Sequence, residues 1–215
     1  MSALYWSLNE VEANCRNAAR GLGLSWGIAE EAGRAARWLS EQGLPGARCV
    51  ATVLSRIDPD NHRRMAPVSA DALHANGGVA LCPILTGTVL SDGTLGPDPV
   101  RIGPILCPVL LLPFVASLDR PVTLRWSRIG IGVDGRRLWV AGRRAELLCD
   151  GCDGIELSPG LPDAPVWDTR QRYAIAPPAA TILRALAERT FAPATDESRM
   201  AGAGGAEDQG VSAKT

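Results

Sequence analysis

Lysine is almost missing from this chain. Of 22 basic residues only Lys214 is lysine, and the other 21 are arginine. No internal lysine is left for a Schiff base or for the phosphate-cradling lysine of a P-loop. The bias itself reads as the codon usage of a GC-rich genome. Histidine is nearly as scarce: His62 and His74 are the only two, and neither sits at a paired metal-ligand spacing. Histidine-driven acyl transfer and histidine-rich zinc sites lose their usual support. An excess of charge is missing too. The net charge of -1 gives no basic footprint for displacing phosphate counterions, so nucleic acid is not an expected partner.

Membrane signals are also weak. The N-terminal text MSALYWSLNEVEANCR has neither a basic leader nor an apolar core, so no signal peptide is expected. The most apolar window, residues 100–118, contains Gly103 and three prolines. Each proline removes a helical hydrogen bond that lipid cannot replace. That window reads as buried strand or irregular core, and a membrane is not an expected partner. The cytosol is the expected compartment, where six cysteines stay reduced.

What is present is an apolar share of 46% over 215 residues, enough for one sizeable core. We expect a single α+β domain over residues 1–191 and a flexible tail over 192–215. Residues 7–43 read as a helical hairpin. Ser7 and Glu10 form the capping box S-x-x-E. Leu8, Val11, Cys15, Ala18 and Leu22 then recur at helical spacing. Gly21 and Gly23 end this helix, Ser25 caps the next, and Gly43 with Pro45 stops that one near Gln42. Ala29, Gly33 and Ala36 make one side of the second helix small enough for close approach by the first helix or by a second subunit.

Residues 44–78 are mixed, with one weak helical pattern in PVSADALHANGG. From Val79 to about residue 158 the text reads as antiparallel β-sheet, in apolar or alternating runs split by turn residues. Asp134-Gly135 predicts a two-residue type I′ hairpin turn. After the loop SPGLPDAP, a short helix is expected over 177–191, opened by Pro177-Pro178.

Three patterns carry candidate chemistry. Cys149 and Cys152 form a CxxC in ELLCDGCDGIEL. No second CxxC completes a zinc site. The flanking Asp150 and Asp153 oppose a thiolate, and the strand-like text that follows supplies no helix N-terminus to lower a thiol pKa. Asp150-Gly151 therefore reads as a second hairpin turn, with the cysteines as small flanking residues and weak thiol candidates. Glu30 and Glu31 are adjacent carboxylates that could bind a ligand. Adjacent helical residues diverge, however, and Glu30 stands four before Arg34 in the favourable ion-pair order. Arg125, Arg128, Arg136, Arg137, Arg143 and Arg144 crowd a region whose only acids are Asp134 and Glu146. Arg125 and Arg143 head the candidates for holding an anion bidentately. No metal site and no cofactor is expected; GAGG in the tail is not a dinucleotide fingerprint.

The N-terminal text SLNEVEANCRNAARGLGLSWGIAEEAGRAARWL and the C-terminal TFAPATDESRMAGAGG resemble a bacterial family known only as a domain of unknown function. The resemblance implies a cytosolic bacterial protein without an established activity, and it brings no catalytic residues. In that family a glycine-rich run precedes a pair of aspartates, whereas GAGGAEDQG here keeps only Asp208. The helix-Gly-helix-Gly start is also similar to the N-terminal arm of malate, lactate and sulfolactate dehydrogenases. It lacks the Ser-His-Gly that follows there, so the likeness is one of hairpin geometry. Three functions stay open: an accessory or binding protein for a small anionic metabolite in catabolism, an enzyme with a dispersed site using a thiol, and a structural subunit docking through its N-terminal helices as a homo-oligomer or with another protein.

Overall fold

The structure is a computed structural model that describes residues 4–69, 73–92, 98–168 and 174–190. The fold is α+β: helices gather from the N-terminal hairpin and the C-terminal segment, and an antiparallel sheet is built from the middle of the chain. Helix α1 (Leu8–Gly21) opens on the expected capping box, with the Ser7 hydroxyl accepting from the Glu10 N–H and the Glu10 carboxylate accepting from the Ser7 N–H. The donors at Ser7 hold the Glu10 carboxyl below the usual carboxylate range. Helix α2 (Trp26–Glu41) is capped by Ser25 and ends at Gln42, followed by Gly43 at φ 67°.

The small-residue face of α2 is used inside the chain. Ala29 and Ala36 are wholly buried, and a Cβ on Gly33 would lie 2.8 Å from the Glu12 carbonyl oxygen of α1. The partner of that face is therefore α1. Trp26 is not a core residue. It is 63% exposed, with the Arg20 guanidinium 4.5 Å above its ring.

Two helices lie where none was read. Helix α3 (Gly46–Leu54) occupies the mixed region, and α4 (Pro83–Asp92) occupies text expected to be strand. In α4, Ile84, Thr86 and Val89 favour strand by propensity, yet the segment is held as a buried helix. Pro83 starts it with φ already set. Gly87 leaves room for the Phe114 ring, which a Cβ there would overlap. Most of α4 is buried, with Ser91 and Asp92 exposed at its end, so its apolar residues show no amphipathic period. The weak pattern at 67–78 supplies only a short 3-10 turn, Asn76–Gly78, within its described part.

Strands β1 (Val100–Ile102) and β2 (Ile105–Leu106) follow. A 3-10 turn, Pro108–Leu111, then leads into the single helical turn α5 (Leu112–Val115), so residues 108–115 are helical. Next come β3 (Val122–Trp126), β4 (Ile129–Asp134), β5 (Arg137–Gly142), β6 (Gly151–Cys152) and β7 (Ile155–Pro159). The main sheet has the antiparallel order β1-β7-β3-β4-β5, and β2 pairs with β6 alone. Side chains alternate across the sheet as strand geometry demands. Val122, Leu124, Ile131, Val133, Val140 and Leu157 enter the core that the helices share.

The β4–β5 hairpin forms where expected, one residue out of register with the reading. Asp134 pairs with Arg137, and Gly135 at φ 54° is the only residue of the turn with positive φ, which excludes type I′. The second expected hairpin does not form. β6 pairs with β2 and β7 with β1 and β3, so Asp150-Gly151 leads into β6, and Asp153-Gly154 is the bend between strands of two different sheets.

Helix α6 (Pro177–Glu188) begins at Pro177 as read. It packs so closely on α1 that a Cβ at Gly21 would overlap the Leu186 carbonyl oxygen. The tail over 192–215 lies outside the described residues. Gly21→Ala is expected to destabilise the protein by about 3 kcal/mol, since neither backbone can yield without losing helix contacts. Chemical denaturation measures this, and a change below about 0.5 kcal/mol would contradict the crossing.

Candidate functional site

The sequence candidates do not converge. Glu30 and Glu31 both bind Arg34 on an exposed face of α2, at 3.6 and 2.7 Å. The arginines of the sheet disperse into separate contacts. Arg128 bonds Glu146 at 3.2 Å, Arg136 reaches across to Glu41, and Arg144 lies 5.3 Å above the Trp167 ring. Arg125 donates to the Ser158 hydroxyl at 3.0 Å. On the sheet's outer side Arg101, Glu156 and Arg125 stand directly opposite one another on β1, β7 and β3. They line an open groove of about 470 Å³ that also contains Asp153. Two acids offset the two arginines, so this groove has little net attraction for an anion. Arg143 is not among its lining residues; it ends up beyond β5, its N–H bonded to the Arg128 carbonyl at 3.1 Å.

The thiols form an arrangement the sequence concealed. Cys15 neighbours Cys49, Cys49 neighbours Cys107, Cys107 neighbours Cys149, and Cys149 neighbours Cys152. The Cys49 and Cys107 thiols are in contact, and Cys15, Cys149 and Cys152 lie close enough to one another or to this pair to interact electrostatically, out to Cys152 in β6. Cys107 sits in the left-handed region at φ 38°, although a residue before proline favours extended backbone. Its N–H donates to the Asp150 carbonyl at 3.0 Å, tying the CxxC loop to the core. Among the described residues, no group of three ligating side chains is arranged to hold a metal ion.

Burial sets the chemistry of these thiols. The thiol of Cys49 and burial hold Cys107 well above its ordinary pKa. Burial raises Cys149 against the pull of the Gly151 N–H and the Trp126 indole, and pushes Cys152 up to about 11. A thiolate is the reactive form, and burial disfavours it at Cys107, Cys149 and Cys152.

A more enclosed concavity lies elsewhere. A cavity of about 160 Å³ opens between the N-terminal segment, α1, the α2–α3 turn and the chain leading into α6. Trp6, Leu8, Val11, Leu44 and Ile175 give it apolar walls. The roof is held by the Ile175 N–H donating to the Leu4 carbonyl at 2.7 Å. The floor is the first turn of α3, through Gly46 and Arg48.

That turn is shaped by Leu-Pro-Gly-Ala-Arg. Pro45 has no N–H to give, the Gly46 N–H turns back to Leu44 at 2.8 Å, and no side chain caps the helix. Gly46 is required because a Cβ would overlap the Ala36 carbonyl. The positive end of α3 and the Arg48 guanidinium therefore meet at one apolar cavity. Among the described residues no carboxylate lies within ion-pair distance of Arg48. The Ser40 hydroxyl donates to Ala36 at 2.8 Å, which leaves its oxygen able to accept. No carboxylate, histidine or thiol is among the lining residues described.

None of these residues had been singled out. They come from three segments, around Trp6, Arg48 and Ile175, and at the α3 start only Pro45 had been read, as the stop of the helix before it.

Fold and site together define an α+β chain with a small apolar cavity and one cation at its mouth. Residues 6–82 match the model of a family described as a protein of unknown function, DUF3726. The match spans α1 to α3 and takes in every cavity residue from Trp6 to Arg48. No curated protein and no solved structure matches the chain. Among the described residues no helix is long and apolar enough to cross a membrane.

The raised thiols give a pH prediction. An acid whose folded pKa exceeds its unfolded value of about 8.5 adds stability that is complete below that pH and is lost as pH rises through the folded value. For Cys152 that window runs from about 8.5 to about 11. Melting temperature is expected to fall across it, and less steeply in Cys152→Ala. An unchanged slope in the variant would contradict the assignment.

Proposed function

We propose that the protein binds a small organic anion with an apolar body in the cavity beside α3. The observation that supports this reading is the meeting of apolar walls with Arg48, which has no carboxylate partner among the described residues, at a helix start without a side-chain cap. A carboxylate there would accept from Arg48 and from the first-turn N–H groups, while an aromatic or branched body would lie against Trp6, Val11 and Leu44. Cavities of roughly 150 Å³ accept a benzene-sized group, so the ligand is a short aryl or branched-chain acid. The lining supplies recognition and no acid–base or nucleophilic pair, which favours an accessory binding role in catabolism over turnover. The setting we infer is the bacterial cytosol, where the free thiols stay reduced.

A thermal-shift screen with 3-phenylpropionate, benzoate and isovalerate tests the reading. Saturating acid is expected to raise the melting temperature, as binding to the native state alone must. Arg48→Ala is expected to weaken binding by about 2 kcal/mol, the worth of a charge-assisted hydrogen bond, with Arg48→Lys intermediate. Absence of any shift, or equal shifts in wild type and Arg48→Ala, would overturn it.

A further inference from the structure

The cavity does not end at Arg48. A groove of about 350 Å³ continues from it between α3 and α6, sharing Arg48 and Ala176 in its walls. Along the α3 side it presents Arg48, Thr52, Ser55 and Arg56. Arg48 and Thr52 are i and i+4 on α3, while Ser55 is its C-cap and Arg56 lies just beyond its end. Two cations and two hydroxyl groups therefore line one path, against the apolar Ile182 on α6.

Arg48 lies in the first turn of α3 and Arg56 just past its C-cap, so the two arginines stand at opposite ends of the helix. The only acid among the lining residues is Asp150, whose contact with Arg56 is long, at 3.5 Å. An exposed pair of that length holds its partner weakly. Arg56 thus has donors to spare, and Asp150 is a competitor that an incoming anion displaces.

We propose that the ligand of this site is a two-headed acid. Its apolar body fills the cavity, one acid group meets Arg48, and a second acid group, carried on a linker, reaches Arg56 in the groove. This rests on the binding reading given above and narrows it to an elongated, substituted dicarboxylate. Thr52 and Ser55 hydrogen-bond the linker or the second head. A short monoacid occupies half of the site.

The experiment is a calorimetric titration of the full chain with 3-phenylpropionate and with 2-benzyl-substituted dicarboxylates of increasing length, from succinate to sebacate. The monoacid supplies the body and the first head, and the series adds the second head at growing separation. Affinity is expected to rise roughly tenfold once the second carboxylate spans to Arg56. Arg56→Ala should abolish that gain while leaving monoacid affinity unchanged. Asp150→Asn should enlarge it, because the competing carboxylate is gone.

If the monoacid binds and lengthening brings no gain, or the gain survives in Arg56→Ala, the two-headed ligand is overturned and the cavity reading stands. If no acid of the series binds, both are overturned. Unchanged melting temperatures of the two exposed-site variants show that a lost gain reflects the groove and not the fold.

Discussion

Three helix crossings depend on the absence of a Cβ atom, and the helical half of the molecule is organised around them. Gly33 lets α2 lie against α1, Gly21 lets α6 lie against α1, and Gly46 lets α3 start against the end of α2. At each, a backbone carbonyl of the neighbouring helix occupies the space a side chain would need. Glycine in a helix costs about 1 kcal/mol against alanine; close packing of two backbones recovers that by dispersion over many atoms. The consequence reaches the site. Because α3 begins tight against α2 and α6 lies tight on α1, the first turn of α3, the N-terminal segment and the approach to α6 are drawn around one small volume.

The sheet half contributes a scaffold and restrains the helices. Arg136 in the β4–β5 turn reaches Glu41, and the Trp167 indole donates to the Gln42 carbonyl at 2.8 Å. Both contacts hold the C-terminal end of α2, one turn before the cavity. Of the arginines that looked like one anion site, Arg136 ties the sheet to α2, and Arg125, Arg128 and Arg144 make separate contacts elsewhere. The thiol run belongs to the same packing. Cysteine is a small, apolar filler.

The parts legible in the sequence were those where water meets one face or where a terminus has its own chemistry. The Ser7–Glu10 box, Pro177 at a helix start and the β4–β5 hairpin are local and carry their own signals. Helix α4 escaped because most of it is buried and its polar residues mark no period; α3 escaped because it is short and shows only two polar positions, Arg48 and Thr52. The Asp150-Gly151 reading failed because a dipeptide suited to a turn does not say which strands it joins. The cavity was hidden for a simpler reason: its walls are more than 120 positions apart in the chain, and only packing brings Trp6, Arg48 and Ile175 together.

The central claim is that the uncapped start of α3 and Arg48 turn this packing gap into an anion site. Amide chemical-shift mapping on titration with 3-phenylpropionate tests it most directly. The account predicts saturable shifts centred on Ala47, Arg48, Ile175 and the Trp6 indole. Shifts centred on Arg101 and Arg125 of the sheet, or none at all, would contradict it.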